Sequence, residues 1–375
     1  MTSLYRESKF YLCVGLILGA LMTLMSCNSE SKHISSQNIM GHSELLALYE
    51  KDGYDEVIIF SPKGEEVAHY VLIDGHDSLP DGISQNVAII KTPLQSAVLD
   101  SEVYAGIIEE LGMPGIIKGM FDADFVTDPA WKENIYKGEI INLGTSSTPD
   151  IEKLTVMNPD VIFLSYFEGM QTQAVDKIGI PIIKMYDLQE RTPLGRAEWI
   201  RFIGRLIGKG EEADKIYEKV VKDYTALRDM VHTTETRKKV LTEIMYEGVW
   251  NVACANSYQA NLIKDAGGNY FKGEDNSSVT LMLTPEQILK DGHDADVWII
   301  RYYGNENELK NILKADPIYG EIKAYKDKEV YFSDTSKSGL FHDFPFHPEL
   351  LIRDYKNIFS QESRESLKYF KRLEL

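Results

Sequence analysis

Aromatic and basic side chains follow several apolar runs that are typical of buried strands. Arg301 and two tyrosines come after residues 297–300, and Tyr166 comes after residues 161–164. Loops at the carboxyl ends of parallel strands line ligand clefts, so we expect these side chains to contact a ligand. Rings suit a large, partly apolar molecule, and arginine suits its acidic groups. The predicted ligand-binding residues are Tyr166, Phe167, Tyr246, Trp250, Asn251, Arg301, Tyr302, Tyr303, Phe341 and His342.

Histidine and cysteine do not have the spacing of a metal site. The eight histidines contain no His-x-His or His-x-x-x-His pair, and Cys254 is the one cysteine beyond residue 27. Zinc and manganese sites use closely spaced ligands, and a disulfide needs two cysteines. We therefore predict no metal site, no intramolecular disulfide and no resident cofactor.

Two classes of protein remain as alternatives to a binding protein. An exported enzyme is disfavoured because the sequence has no G-x-S-x-G and no H-E-x-x-H motif, and we predict no catalytic residues. A scaffold lipoprotein is disfavoured because no long repeats or β-rich arrays occur.

One helix–strand pattern occurs twice in the chain. Residues 149–154 (PDIEKL) lead to the apolar strand 158–164, and residues 284–289 (TPEQIL) lead to the apolar strand 294–300. Each copy begins with a short helix that carries one glutamate in its first turn, either Glu152 or Glu286. Each strand is apolar enough to be buried on both faces. The duplication predicts two similar α/β lobes.

Strands and helices alternate around both copies of this pattern. The runs 56–61 and 66–73 flank a turn at 62–64 and predict a hairpin. Residues 97–111 are interpreted as one helix, and residues 239–245 as one strand. Alternation of this kind predicts parallel α/β sheets.

Residues 195–231 interrupt the alternation. This stretch has no proline and has apolar residues at helical spacing, with a helix break expected at 208–210. We interpret it as a rigid connection between the lobes, with the ligand cleft between them. The predicted parts are a leader at 1–26, a tether at 27–42, an N-terminal lobe at 43–194, the helical linker at 195–231 and a C-terminal lobe at 232–375.

The N-terminus indicates export. Arg6 and Lys9 precede the apolar run 10–25, which is short for a membrane span and suits a signal peptide. The run ends in LMSC, which resembles a bacterial lipobox and predicts lipidation of Cys27. The formal net charge of −18 argues against nucleic acid and anionic lipid headgroups as partners.

Two α/β lobes on a helical linker, exported and lipidated, resemble the substrate-binding proteins of ABC importers for ferric chelates, haem and cobalamin. The resemblance covers nearly all of residues 85–360. It rests on six segments in order, which are 149–154 with 158–162 (NPDVI), 179–183 (GIPII), 262–269 (LIKDAGGN), 283–289 (LTPEQIL) and 324–331 (AYKDKEVY). The segment 191–199 (RTPLGRAEW) resembles a subgroup from gut-type anaerobes.

The resemblance implies a function and a set of partners. It implies a monomeric periplasmic lipoprotein that delivers a ferric siderophore to an inner-membrane permease with its ATPase. In the resembled proteins the glutamate of each repeat pairs with permease arginines, which implies that role for Glu152 and Glu286. Cobalamin-binding members carry a tryptophan before each repeat, and the stretches 144–148 and 278–281 have none.

Haem is a further ligand that the resemblance leaves open. It would need an axial ligand in the cleft, which His342 with Tyr166 or Tyr302 would supply. Cobalamin also stays an alternative cargo for the same role.

Overall fold

The computed structural model describes residues 37–75, 87–167, 170, 173–231, 237–273, 280–360 and 366–375. The predicted leader and Cys27 lie outside these residues. Among the helices within them, none is long and apolar enough to cross a membrane.

A four-stranded sheet opens the described chain. Strands β1 (Leu46–Lys51), β2 (Tyr54–Phe60) and β3 (Glu66–Asp74) pair antiparallel, and β4 (Ala88–Thr92) adds to β3 in parallel. The hairpin predicted from residues 56–73 is confirmed as β2–β3. The sheet attaches to the next lobe through Tyr70, whose hydroxyl donates to the Ile182 carbonyl at 2.8 Å.

The segment before β1 packs against the protein, although the tether was expected to run to residue 42. The Glu198 carboxylate, which is 1% exposed, accepts hydrogen bonds from the backbone N–H groups of Gly41, His42 and Ser43 at 2.7–2.8 Å. A buried carboxylate needs such donors, because an unpaired buried charge is strongly destabilising. The tether prediction is therefore wrong for these residues.

The N-terminal lobe is built on a five-stranded parallel sheet in the order β7-β6-β5-β8-β9. Its strands are β5 (Ala97–Leu99), β6 (Ile117–Met120), β7 (Ile141–Asn142), β8 (Val161–Ser165) and β9 (Ile182–Met185). Its helices are α1 (Glu102–Glu110), α2 (Pro129–Lys137), α3 (Ile151–Met157) and α4 (Gln173–Asp176). The all-parallel order confirms the predicted α/β class.

Residues 97–111 are a strand and a helix, which corrects the prediction of one helix. Ala97, Val98 and Leu99 are fully buried in β5, at the centre of the sheet between β6 and β8. The side chain of Ser101 then accepts from the Val103 N–H and begins α1. A three-residue strand is too short for a periodic pattern to reveal.

Three helices connect this lobe to the next. They are α5 (Pro193–Ala197), α6 (Trp199–Leu206) and α7 (Gly210–Asp229). The predicted break at 208–210 is present, and Gly208 has the positive φ of 71° that ends a helix there. Helices α6 and α7 pack around Trp199, Ile203 and Tyr217, which belong to a core shared with both lobes.

The C-terminal lobe repeats the first lobe's plan with one antiparallel edge. Its sheet has the order β13-β10-β15-β16-β17, with only β17 antiparallel. Its strands are β10 (Lys239–Thr242), β13 (Asn269–Tyr270), β15 (Val297–Tyr302), β16 (Val330–Asp334) and β17 (Lys371–Arg372). A small antiparallel sheet, β11-β12-β14, comprises β11 (Met245–Tyr246), β12 (Val249–Val252) and β14 (Leu281–Leu283).

Helices complete the C-terminal lobe. They are α8 (Tyr258–Asp265), α9 (Pro285–Gly292), α10 (Glu306–Ala315), α11 (Lys323–Lys326), α12 (Leu340–Asp343) and α13 (Pro348–Phe359). The predicted strand 239–245 ends early, because Glu243 takes up a left-handed φ of 62° and turns the chain out of β10.

The duplicated helix–strand pattern has the same structure in both lobes. Asp150 caps α3, which leads to β8, and Thr284 caps α9 through a capping box with Gln287, which leads to β15. Both strands lie inside their sheets, and their first four residues are buried. Glu152 and Glu286 are exposed in the first turns.

We predict that Glu198→Gln detaches the segment before β1 from the linker. The amide keeps one acceptor but turns an NH2 group toward N–H donors, so the free energy of unfolding should fall by about 2–3 kcal/mol. Chemical denaturation measures this difference. The matched change Glu133→Gln, on an exposed face of α2, should cost about 0.5 kcal/mol or less. Equal effects of the two changes would refute the assignment.

Candidate functional site

A cavity of about 530 Å³ lies between the two lobes. From the N-terminal lobe, the loops after β5 and β6 line it, including Asp100 and Asp122. From the C-terminal lobe, Arg301 on β15, Thr335 after β16 and Phe341 on α12 line it. The carboxyl ends of both parallel sheets therefore meet at one space, as expected for a ligand site in this fold class.

Arg301 projects its guanidinium into this cavity from the end of β15. Its Nε donates to Glu243 Oε1 at 2.8 Å, and its Nη2 donates to the same oxygen and to Gln259 Oε1, the latter at 3.0 Å. Burial alone would lower the pKa of Arg301, but the Glu243 carboxylate raises it on balance. Glu243 thus orients a permanent positive charge toward the ligand space.

Arg196 supplies a second guanidinium, from α5 in the linker. It is 4% exposed, and its Nε donates to Asp187 Oδ2 at 3.1 Å. Its Cζ atom lies 4.7 Å from the ring centroid of Phe344 and 5.3 Å from that of Tyr258, which are cation–π distances. Packing between two rings fixes the guanidinium plane before any ligand arrives.

Asp187 also joins the linker to the N-terminal lobe. Tyr104 donates its hydroxyl to Asp187 Oδ1 at 2.8 Å, and the same hydroxyl lies 3.0 Å from Ser165 Oγ. Ser165 in turn donates its N–H and its hydroxyl to Asp100, at 2.5 and 3.1 Å. These groups therefore form a chain of polar contacts from Arg196 to Asp100. Because each hydroxyl has one hydrogen, Tyr104 and Ser165 touch but do not donate to each other while both donate to carboxylates.

Asp100 ends that chain at the cavity wall. Burial raises the pKa of its carboxyl to about 7, with the Asp187 charge adding to the effect against the Ser165 hydrogen bonds. The cavity therefore contains an acid whose pKa lies near neutral pH, together with the guanidinium groups of Arg301 and Arg196.

Apolar side chains form much of the remaining wall and the mouth. Phe125, Leu188 and Tyr303 line the cavity and are 70%, 55% and 56% exposed. Large apolar groups at such exposure are uncommon unless they serve a binding surface. They come from the first lobe, the segment before α5 and the second lobe, so a ligand in the cavity would contact all three.

Three of the predicted ligand-binding residues line this cavity, namely Arg301, Tyr303 and Phe341. Tyr166 instead stacks on Tyr186, with 5.4 Å between ring centroids. The other exposed members of the set, Phe167, Tyr246 and Asn251, lie on loops or strands apart from it, and Tyr302 packs partly buried against the core. Their contact with a ligand stays a prediction.

Trp250 requires a correction. Its ring is fully buried, its Nε1 donates to the Thr242 carbonyl at 3.0 Å, and its centroid lies 5.7 Å from those of Trp298 and Tyr319. The alternation along β12 directs Trp250 into the core, whereas Asn251 points outward. This ring stabilises the lobe and does not reach the ligand.

His342 also requires a correction, because its ring turns away from the cavity that its neighbour Phe341 lines. Its Nε2 lies 3.6 Å from Glu109 on α1, in the other lobe, and its Nδ1 lies 3.5 Å from Asp343. The axial haem ligand predicted here is therefore absent from the lining of the described cavity.

The sequence did not predict Asp100, which lines the cavity, or Glu243, which pairs with Arg301. Asp100 lay inside the predicted helix 97–111, and Glu243 inside the predicted strand 239–245. One signal for Asp100 was available, since a polar residue follows the short apolar run at 97–99 and strand ends position site residues.

The two matched glutamates lie outside this cavity. Glu152 borders an open groove of about 920 Å³ together with Lys118 and Val156, and Val156 is 83% exposed. Glu286 is also exposed, and its own N–H and the Thr284 hydroxyl hold the pKa of its carboxyl below the usual range. Both side chains are accessible, and Glu286 stays ionised at neutral pH.

We predict that Asp100 contributes a pH-dependent part of the stability. Its pKa is higher in the folded chain than its ordinary value of 3.8, so the folded state binds the extra proton between about pH 4 and pH 7. This stabilisation is present at low pH and is lost as pH rises through 7. From pH 5 to pH 8 the wild type should lose about 2 kcal/mol relative to Asp100→Asn.

Thermal or chemical unfolding at several pH values measures this difference. The matched change Asp124→Asn, in the exposed loop after β6, should give the same dependence of stability on pH as the wild type. A profile for Asp100→Asn parallel to the wild type would contradict the assigned charge state.

Comparison with known proteins agrees with this architecture. A family model described as periplasmic binding protein matches residues 103–336. An uncharacterized lipoprotein of Methanocaldococcus jannaschii, MJ0872, is 25% identical over 388 residues, which cover 92% of this chain and 97% of the relative.

Solved structures show the same two-lobed fold. A periplasmic heme binding protein from Pseudomonas aeruginosa aligns with a TM-score of 0.58 and 14% identity, over 75% of this chain and 99% of its own. A protein of an ABC-type Fe3+-hydroxamate transport system from Saccharomonospora viridis aligns with a TM-score of 0.54 and 16% identity, over 71% and 92%. The family match extends over more than half of the chain, which therefore belongs to the periplasmic binding protein family of solute-binding proteins and is not an enzyme.

Proposed function

We propose that the protein captures a ferric siderophore in the cavity between its lobes and delivers it to an inner-membrane ABC permease with its ATPase. The observation that carries the proposal is the cavity itself, where two oriented guanidinium groups face apolar and aromatic walls. Iron chelates of this kind combine negative oxygen donors with aryl or alkyl groups. Arginine pairs with such oxygens, and the rings cover the apolar parts.

Two guanidinium groups line the site together with the acids Asp100, Glu102 and Asp122, so its charges are mixed. Arg301 and Arg196 supply guanidinium groups, and burial raises the pKa of the Asp100 carboxyl to about 7. A protonated Asp100 can donate a hydrogen bond to a ligand oxygen, and an ionised one would repel it. We therefore expect the ligand to carry acidic oxygens placed to meet the guanidinium groups.

Haem and cobalamin remain alternative cargoes for the same role. Haem is supported as an alternative cargo because one of the similar solved structures is a periplasmic heme binding protein. Tyr303 is the one tyrosine or histidine among the lining residues of the described cavity, so an axial bond to haem iron would have to come from it.

The proposal places the protein in the periplasm, anchored by a lipid on Cys27 and acting as a monomer. Relatives that are named lipoproteins support the anchor. Glu152 and Glu286 would pair with arginines of the permease, one from each lobe. Their exposure and their equivalent positions at the starts of α3 and α9 support this assignment.

A binding screen tests the proposed cargo. The purified chain is titrated with ferric tris-catecholate, ferric tris-hydroxamate, ferric citrate, haemin and cyanocobalamin, and tryptophan fluorescence and absorption spectra are recorded. We expect saturable binding of a ferric chelate. Binding of haemin or cyanocobalamin alone would transfer the proposal to that cargo, and binding of none would overturn it.

We predict that Arg301→Lys weakens ferric-chelate binding about tenfold or more. Lysine keeps the positive charge beside Glu243 but loses the planar fork that holds two oxygens at once. Isothermal titration calorimetry measures the loss. The matched change Arg228→Lys, on the exposed end of α7, should leave affinity unchanged. Wild-type affinity in Arg301→Lys would remove this residue from the site.

We predict that Glu152→Lys combined with Glu286→Lys abolishes uptake while ligand affinity stays at the wild-type value. Reversed charges would face permease arginines, and like charges across an interface cost several-fold to orders of magnitude in affinity. Transport of the bound radiolabelled chelate by cells measures uptake. The double control Glu133→Lys with Glu321→Lys changes two exposed glutamates elsewhere and should transport normally.

A further inference from the structure

Helix α1 of the first lobe and helix α12 of the second lobe approach each other closely at one side of the cavity. Gly106 of α1 faces the backbone of α12, and a Cβ atom built on it would lie 2.5 Å from the His342 carbonyl oxygen. That distance is shorter than any real contact, so the absence of a side chain at Gly106 permits the approach.

Two histidines of the second lobe face two consecutive glutamates of the first lobe across this contact. His347 Nε2 lies 2.7 Å from Glu110 Oε2, and His342 Nε2 lies 3.6 Å from Glu109 Oε2. The glutamates occupy the last turn of α1, His342 lies in α12, and His347 is the N-cap residue of α13. The charges therefore pair from one lobe to the other.

Acidic neighbours keep these histidines charged. Burial alone would lower the pKa of His347, but Glu110 and Glu349 on either side raise it to about 10. The pKa of His342 is raised by its hydrogen bond to Asp343 and by Glu109. The other charged groups at this contact are Asp128, which borders the same groove, and Lys368, which pairs with Asp343 at 2.5 Å.

The same two helices also line the ligand cavity. Glu102 and Val103 at the start of α1 line it, and so does Phe341 of α12. Phe341 and His342 are neighbours in sequence, so one short helix presents a ring to the ligand space and a cation to the other lobe. Separation of α1 from α12 would therefore widen the cavity.

We propose that the pairs His342–Glu109 and His347–Glu110 form a clasp that holds the lobes together at this side and limits how far the cavity opens. The His347 pair carries the larger part, because His347 is only 16% exposed and its distance to Glu110 is shorter. This inference goes beyond the proposed cargo and applies to the protein without ligand.

The test measures the separation of the lobes directly. Spin labels are placed on the full chain through unnatural amino acids at Tyr136 of α2 and Met282 of β14, which are 88% and 76% exposed. Double electron–electron resonance then records the distance distribution without ligand. Glu110→Gln and His347→Gln should each increase the fraction of separated conformations about fivefold, the effect of losing roughly one partly exposed ion pair.

Three controls make the result specific. The double variant Glu110→Gln with His347→Gln should resemble either single variant, because both remove the same pair. His69→Gln removes a histidine–glutamate pair of 2.9 Å inside the N-terminal sheet and should leave the distances unchanged. Gly106→Val should separate the lobes because the valine side chain would clash with the backbone of α12, and it leaves all charges unchanged.

The clasp would be overturned by two outcomes. One is a wild-type distance distribution in both Glu110→Gln and His347→Gln while Gly106→Val separates the lobes. The other is an equal change in His69→Gln. Thermal melting of each variant verifies that it is folded, so a loss of structure is recognised separately from an opening. Because no ligand is used, failure of the proposed cargo does not affect this result.

Discussion

Buried charge at the start of the helical linker and in the segment just before it is the constraint on which the rest of the structure depends. Glu190, Glu198, Asp187 and Arg196 lie within twelve residues of one another and are each at most 4% exposed. Charges at such depth are tolerable only when hydrogen-bonded partners surround them. The partners come from the segment before β1, from Tyr104 of the first lobe and from rings at the cavity. Satisfying four charges therefore joins three separate parts of the molecule.

Much of the fold could be predicted from the sequence because the order of apolar and polar residues indicates its strands and helices. The runs 161–164 and 297–300 are continuously apolar, a pattern typical of strands that are buried on both faces. They form the interior strands β8 and β15. The helical linker followed from spacing and the absence of proline. Short elements were harder to predict, since β5 has only three residues and was included in the predicted helix 97–111.

The site was less predictable because its residues are set by tertiary contacts. The strand-end rule found Arg301 and Tyr303, whose positions follow directly from β15. It failed for Trp250, where a left-handed Glu243 redirects the chain into a small sheet and turns the ring into the core. It also failed for His342, since the partner that attracts this ring, Glu109, is distant in sequence and belongs to the other lobe. No local sequence pattern predicts the position of either ring.

The attachment of the chain ahead of β1 has a mechanical consequence. Asn38 and Met40 precede the three N–H groups that Glu198 binds, and Glu198 belongs to the connection between the lobes. A pull on the chain ahead of β1 would therefore reach this connection first, close to Arg196, which lines the cavity. The same contact couples the position of the N-terminal segment to the part of the connection that carries a cavity guanidinium.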